Sequence, residues 1–277
     1  MISMVGIGNF CSELVNKFSQ YPQYTVYTIG TEDTSFILPQ LKNSEEYEKN
    51  YPIKLNSFIS DENKEITVFV EGSESVSGIL LKFLENFKDR KINIYYIRSD
   101  LELVGNIEKL QDKIAFSVLQ EYTRSGLFNK FVLFDKVKIE KMLDNVSILE
   151  FDESFYDLVT TTSHYINVYS NIKPIISNNI ELSDISRIEV YGLSEIGSLD
   201  IKWFSDLENI EEIIYYFAIN SNTLKKEKKL LQTLKSQVKE KQKENLKISF
   251  NIYETSYVEN FVYCVGRTKI IQQPNRA

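Results

Sequence analysis

The sequence predicts an α/β protein. A Rossmann-like parallel-sheet domain comes first, then a central helix, then a smaller C-terminal α/β domain with antiparallel strands. Three observations predict this. Apolar runs of four to six residues alternate with amphipathic helical stretches through the first half. Two of those runs lead into small-residue loops that open a helix, Gly6-Ile7-Gly8-Asn9-Phe10-Cys11-Ser12 and Gly72-Ser73-Glu74-Ser75-Val76-Ser77-Gly78. From Arg187 onward the pattern changes to strands alternating apolar and polar residues, with one lysine-rich helix among them.

Taken in order, residues 2–7 read as a strand and 11–21 as a helix. Residues 25–29 and 66–70 are β-rich runs. Residues 76–89 predict a helix and 92–97 a strand. In 110–124 the apolar residues Ile114, Val118, Leu119 and Tyr122 fall at helical spacing, and 130–134 is again a strand. Residues 151–169 predict a long central helix, and Pro174 marks a break after it. Residues 187–191 are strand-like, and 207–217 look helical. A helix over 223–243 carries the stripe Leu224, Leu231, Leu234 and Val238. Residues 247–253 and 260–266 read as strands paired with each other. The expected domains are 1–150, a connecting helix and loop over 151–180, and 181–277.

Composition narrows the function classes. The chain has 277 residues with 43% hydrophobic and 26% charged content, as in soluble globular proteins. No run reaches the roughly 18 apolar residues of a membrane span. The start, Met1-Ile2-Ser3-Met4-Val5, has no basic region, so no signal peptide is expected. Cys11 and Cys264 stand far apart and outside any metal-ligand spacing, which suits a reducing, cytoplasmic compartment. The single histidine, His164, argues against His-rich metal sites and histidine-based catalytic triads, and no metal site is expected from the protein's own residues. A net charge of −7 argues against general nucleic-acid binding. The local exception is 222–245, with eight lysines against three glutamates, read as a solvated face opposite the apolar stripe.

A small-residue loop between strand and helix is an anion-binding geometry. The free N–H groups of the first turn point outward and the helix dipole favours negative charge. Ligands in parallel sheets bind at the carboxyl ends of strands, so both loops are expected to face one crevice. With these loops in place, the chain resembles the tubulin/FtsZ superfamily in motif order and spacing over nearly its whole length. Residues 6–12 resemble the family's first glycine-rich turn, and Thr31-Glu32-Asp33 its acidic loop. Residues 72–78 align without gaps on the GGGTGTG-type signature loop, with Gly72 and Gly78 as outer glycines and Ser75 and Ser77 at hydroxyl positions. Arg98-Ser99-Asp100 resembles the segment approaching the ribose, and the strand ending at Phe134-Asp135 the one that precedes the family's IPNDRLL segment. Asn179-Ile180-Glu181-Leu182-Ser183-Asp184-Ile185 resembles the loop that reaches the next subunit's nucleotide.

The resemblance implies a guanine-nucleotide-binding protein that assembles head to tail into filaments, with GTP hydrolysis completed across the subunit interface. The implied cofactor is GTP, with Mg2+ as its companion ion. The implied partners are further copies of the chain, with an adaptor protein in addition, in the cytoplasm of a prokaryote or of a virus-infected host cell. Gly6, Gly8, Asn9, Cys11, Ser12, Gly72, Ser73, Ser75, Val76, Ser77 and Gly78 would hold the nucleotide. Tyr156 would stack on its base. Glu181 and Asp184 would position the hydrolytic water; by themselves these two read rather as a solvated loop. Cys11 alone reads as a small packing residue, and His164 as a structural histidine. Three glycines of the signature loop are replaced by Ser73, Glu74 and Val76. Glu74 beside a triphosphate would be repelled by roughly 4 kcal/mol at 4 Å and an effective dielectric near 20. These replacements favour an alternative, a tubulin-fold structural or interaction protein that binds no nucleotide. A dinucleotide-binding Rossmann enzyme built on Gly6 and Gly8 ranks last, because it leaves residues 72–78 unexplained.

Overall fold

Val5 and Ile7 are fully or almost fully buried, and the strand that carries them, β1 (Ile2–Ile7), pairs on both sides with parallel neighbours. A strand covered in this way needs apolar residues on both faces, which is why its sequence runs without alternation. The structure is a computed structural model and describes residues 1–143, 145–178 and 180–273. The chain forms two compact units, Met1–Thr160 joined by the described residues from Ile271 on, and Thr161–Ile270.

In the first unit β1 is followed by α1 (Asn9–Asn16), β2 (Tyr24–Gly30), the short β3 (Phe36–Ile37) and α2 (Ser44–Lys49). Then come β4 (Glu65–Glu71), α3 (Leu80–Leu84), β5 (Lys91–Arg98), α4 (Asn106–Arg124), β6 (Lys130–Asp135) and α5 (Lys136–Met142). The strands lie in the order β3-β2-β1-β4-β5-β6, all parallel. Strand order reverses between β1 and β4, the switch point where doubly wound sheets open a crevice beyond their carboxyl ends. Phe69 fills the core beside Phe18, Tyr95 and Phe134, and Tyr96 packs against Phe116 and Phe131. The chain end returns to this unit, where Gln272 exchanges hydrogen bonds of 2.8 and 3.2 Å with the buried Gln120 of α4.

The long helix α6 (Phe151–Asn171) runs from the first unit into the second. The second unit then holds β7 (Ile176–Ser177), β8 (Ile188–Ser194), β9 (Ile201–Trp203) and β10 (Glu212–Asn220). It continues through α7 (Ser221–Lys226), α8 (Leu230–Lys241), β11 (Lys247–Thr255) and β12 (Phe261–Thr268). Its strand order is β8-β12-β10-β11-β7, with β9 on β8. Only β10 and β11 run parallel, joined through α7 and α8; the other pairs are antiparallel.

Four sequence expectations are corrected. Residues 207–217 are not a helix, because β10 begins at Glu212. Eight of its nine residues are buried, so it lacks the alternation that separates strand from helix. The strands expected to pair with each other, β11 and β12, lie on either side of β10 instead. The helix expected over 76–89 is broken: 3-10 turns at Ser75–Ile79 and Glu85–Phe87 flank the single α-turn of α3. The helix expected over 223–243 stops at Lys226 and restarts at Leu230. The restart shifts the phase, so Leu230, Leu234 and Val238 meet the core of Tyr215, Phe217 and Phe250. Leu231 is left exposed.

Candidate functional site

The loops after β1 and β4 meet at the switch point. Gly8 follows β1 with φ +93, a conformation that side chains rarely adopt, and its amide donates to Ile29 O at 2.9 Å. The turn brings the start of α1 back over the sheet edge. A Cβ on Gly8 would stand 1.5 Å from Oε2 of Glu74, so the Glu74 carboxylate lies directly against the Gly8 backbone. Gly72 is needed for a different reason: a Cβ there would stand 1.7 Å from the Tyr96 hydroxyl.

The carboxylate of Glu74 is largely buried. Its pKa is pushed up to about 7, first by burial and then by the charge of Glu71, with Lys136 and the Phe10 backbone N–H acting in the opposite direction. Its Oε2 is fully buried and finds no hydrogen-bond partner. Glu71, at the end of β4, accepts a 2.6 Å ion pair from Lys136 at the start of α5. The Lys136 ammonium also sits 3.5 Å from the centre of the Phe10 ring. Ser99 donates to Glu71 and bonds to Ser73, closing a buried chain of three side chains.

The remaining nucleotide-site candidates are placed as follows. The Cys11 thiol is buried and its pKa is pushed well up, first by burial and then by the charges of Glu74 and Glu71, so it is no nucleophile. Ser12 is buried and donates to Gly6 O at 3.3 Å. Asn9 ties down the acidic loop, accepting the Thr31 N–H at 2.9 Å and donating to the Thr31 hydroxyl at 3.0 Å. Val76 is buried, and the Ser77 hydroxyl donates to Gly72 O at 3.2 Å. Gly78 passes close to α2, where a Cβ would meet Ser44 O at 2.1 Å. Ser75 is partly exposed. Tyr156 packs edge-on against Phe10, with ring centres 5.1 Å apart, and donates to Glu13 at 3.0 Å.

Two residues that sequence reading missed hold this arrangement. Gln111 of α4 laces the second loop, donating to Gly72 O at 3.0 Å, Glu74 O at 2.6 Å and the Ser77 hydroxyl at 2.9 Å. Lys136 neutralises Glu71. An amide on a helix face carries no signature in sequence. Lys136 could have been suspected from its place beside Asp135 at the end of a strand.

Glu181 and Asp184 belong to the second unit, where both are exposed. Asn179, which opens their loop in the sequence reading, lies outside the described residues. The loop is anchored at Ser183, whose N–H donates to Glu212 at 2.6 Å and whose carbonyl accepts from Arg267 at 3.3 Å. Arg267 also pairs with Glu212 at 2.8 Å and Glu189 at 3.2 Å, all three being mostly or fully buried. His164 is buried on α6, and burial holds its pKa down to about 4, so it stays neutral near pH 7. Among the described residues no cluster of three His, Cys, Asp or Glu side chains could hold a metal ion. No described helix is long and apolar enough to cross a membrane.

A parallel sheet with two strand–loop–helix turns at its switch point, followed by a second α/β unit, defines a doubly wound type of α/β protein. No protein-family model matches the sequence, and no curated protein matches it. Solved structures do. The GTPγS-form protofilament of TubZ from Bacillus thuringiensis serovar israelensis is 12% identical, with a TM-score of 0.71 over 98% of this chain and 87% of that one. FtsZ of M. jannaschii is 11% identical, with a TM-score of 0.64 over 96% and 87%. GDP-bound CetZ1 from Haloferax volcanii is 13% identical, with a TM-score of 0.64 over 99% and 95%. The chain has the fold of the tubulin/FtsZ superfamily, as its motif order indicates.

As they stand, the residues of the two loops do not fit a nucleotide's phosphates. A carboxylate occupies the space over Gly8, Ser73 and Ser77 spend their hydroxyls on Ser99 and on Gly72 O, and Val76 is buried.

Proposed function

We propose that this chain is a tubulin-type assembly subunit that joins head to tail with copies of itself. The observation that carries the reading is the meeting of both loops, Gly8 against Glu74, at the switch point of a sheet with this superfamily's fold. A subunit with different surfaces at its two ends makes heterologous contacts, and heterologous contacts that do not close give filaments. The TubZ neighbours include two-stranded and four-stranded filament models.

Guanine nucleotide, with Mg2+, is the ligand class that the resemblance of the loops suggests, although their residues do not fit its phosphates while Glu74 stands over Gly8. In that reading the exposed Glu181 and Asp184 would be the carboxylates facing the next subunit. That reading requires Glu74 to leave the space over Gly8. The second reading, assembly without nucleotide, is favoured by Glu74 staying there.

Electron microscopy and phosphate release, each with and without GTP, separate the readings. Filaments formed only with GTP, with release abolished in Asp184→Ala, support the first. Filaments of equal abundance without GTP, and no release, support the second. A chain that stays monomeric at high concentration under both conditions refutes the assembly function itself.

A further inference from the structure

We propose that Glu74 is the specificity-determining residue of this rim: its carboxylate is a resident anion at the start of α1 and stands in for a phosphate group, so the rim refuses phosphates while Glu74 is in place. The inference rests on the rim being a phosphate-type site, as proposed above.

Three features of the geometry carry it. Gly8 leaves a cradle that any Cβ would fill, and what fills it is Oε2 of Glu74, 1.5 Å from where that Cβ would be. The α1 start, Asn9–Asn16, supplies the favourable dipole end, and the Phe10 N–H acts directly on the carboxylate. Oε2 is fully buried and has no partner, which a side chain free to choose would avoid by turning to water. The loop does not let it choose. Its backbone is fixed by Gln111 at the Gly72 and Glu74 carbonyls and by the Glu74 N–H donating to Glu71 O at 3.2 Å, and Gln111 also holds the Ser77 hydroxyl.

The groups facing Glu74 set its response to pH. Glu71 comes from β4, Lys136 from α5, and the Cys11 thiol and Phe10 N–H from α1. Lys136 is already paired with Glu71, so it cannot fully compensate a second carboxylate. An incoming oxyanion would meet two negative side chains and one cation. Protonating or removing Glu74 leaves one of each, with the helix start open. The ligand class that the native rim accepts is therefore one without a phosphate over Gly8, and a phosphate enters only when Glu74 is neutral or displaced.

The test uses the full chain and inorganic sulfate, an oxyanion whose charge is constant from pH 6 to 8. Binding is followed by calorimetry and thermal shift in the native chain, Glu74→Ala and Glu74→Gln, with the surface variant Glu121→Ala as a control for lost negative charge. The expected result at pH 8 is at least tenfold tighter sulfate binding in Glu74→Ala than in the native chain and in Glu121→Ala. The native chain should bind more tightly at pH 6 than at pH 8, and Glu74→Gln should lose that pH dependence. If Glu74→Ala does not fold, the pH dependence and its loss in Glu74→Gln decide alone. Equal sulfate binding in native chain and variants, or none in any, overturns the proposal. GTP titrations run in parallel separate it from the nucleotide reading. Sulfate binding by Glu74→Ala without any response to GTP upholds the role of Glu74 and removes the nucleotide. GTP bound equally by native chain and Glu74→Ala keeps the nucleotide and overturns the role of Glu74.

Discussion

Replacing Glu74 by glutamine should stabilise the protein, and only at high pH. The carboxylate titrates at about 7 in the folded chain against an ordinary 4.5. The folded state holds its proton more tightly than the unfolded state does. The stability associated with this group is therefore complete below pH 4.5 and is lost as pH rises through 7. The gap corresponds to about 3 kcal/mol that is missing by pH 8. Glutamine has nearly the same shape and no charge to desolvate. Glu74→Gln should match the native chain at pH 4.5 and exceed it by up to about 3 kcal/mol at pH 8, roughly 6–12 °C in melting temperature for a chain of this size.

The assay is a set of thermal melts of both proteins in low-phosphate buffer between pH 4.5 and 8.5. The difference in melting temperature should open as pH rises from about 4.5 and level off above about 7. A constant difference at every pH would mean that the charge is not what the site resists. A variant less stable at pH 8 would mean that the carboxylate is well solvated or well bonded. Either result would refute the placement of Glu74 over Gly8.

Further outcomes follow from the same geometry. Gln111→Ala removes three hydrogen bonds to the second loop; amide exchange over residues 72–78 should quicken at least tenfold, for a loss of about 1–3 kcal/mol. Arg267→Met removes the guanidinium that pairs with the buried Glu212 and Glu189, and urea unfolding of the second unit should show a loss of about 3–5 kcal/mol. His164 titrates at about 4 because burial disfavours its charged form. Its contribution is complete above pH 6.5 and is lost as pH falls through 4. His164→Gln should flatten the acid limb of a pH–stability curve, and an unchanged limb would show the imidazole to be hydrated.

The parallel sheet was legible because five of its strands are short apolar runs that alternate with helical stretches; the two-residue β3 is too short to carry that signal. The second unit was harder. In β10 the burial of both faces erases the period of two, and the run Glu212-Ile213-Ile214-Tyr215-Tyr216-Phe217 suits a helix equally well. Missing β10 forced the wrong partner on β11 and β12, since two strands adjacent in sequence pair by default. The positions of the two loops were readable from spacing alone. What their side chains do was not: Ser73 bonding to Ser99, 26 residues on, and Gln111 reaching Gly72 from α4 are tertiary facts with no local pattern.

Glu74 marks the limit of reading charge without position. From sequence it counts as a negative neighbour of a phosphate, worth roughly 4 kcal/mol of repulsion. A neighbouring charge can be screened, or cancelled by a cation. An occupied seat cannot, because two groups do not share one volume. The 1.5 Å distance from the Gly8 Cβ position changes the problem from electrostatics to exclusion. Exclusion makes a sharper demand on any nucleotide reading of this chain. Lys136, the cation nearest to hand, is already spent on Glu71, so salt or Mg2+ alone does not open the rim. The side chain of Glu74 has to move. If it never does, the chain keeps a tubulin-type fold that carries its own anion over Gly8.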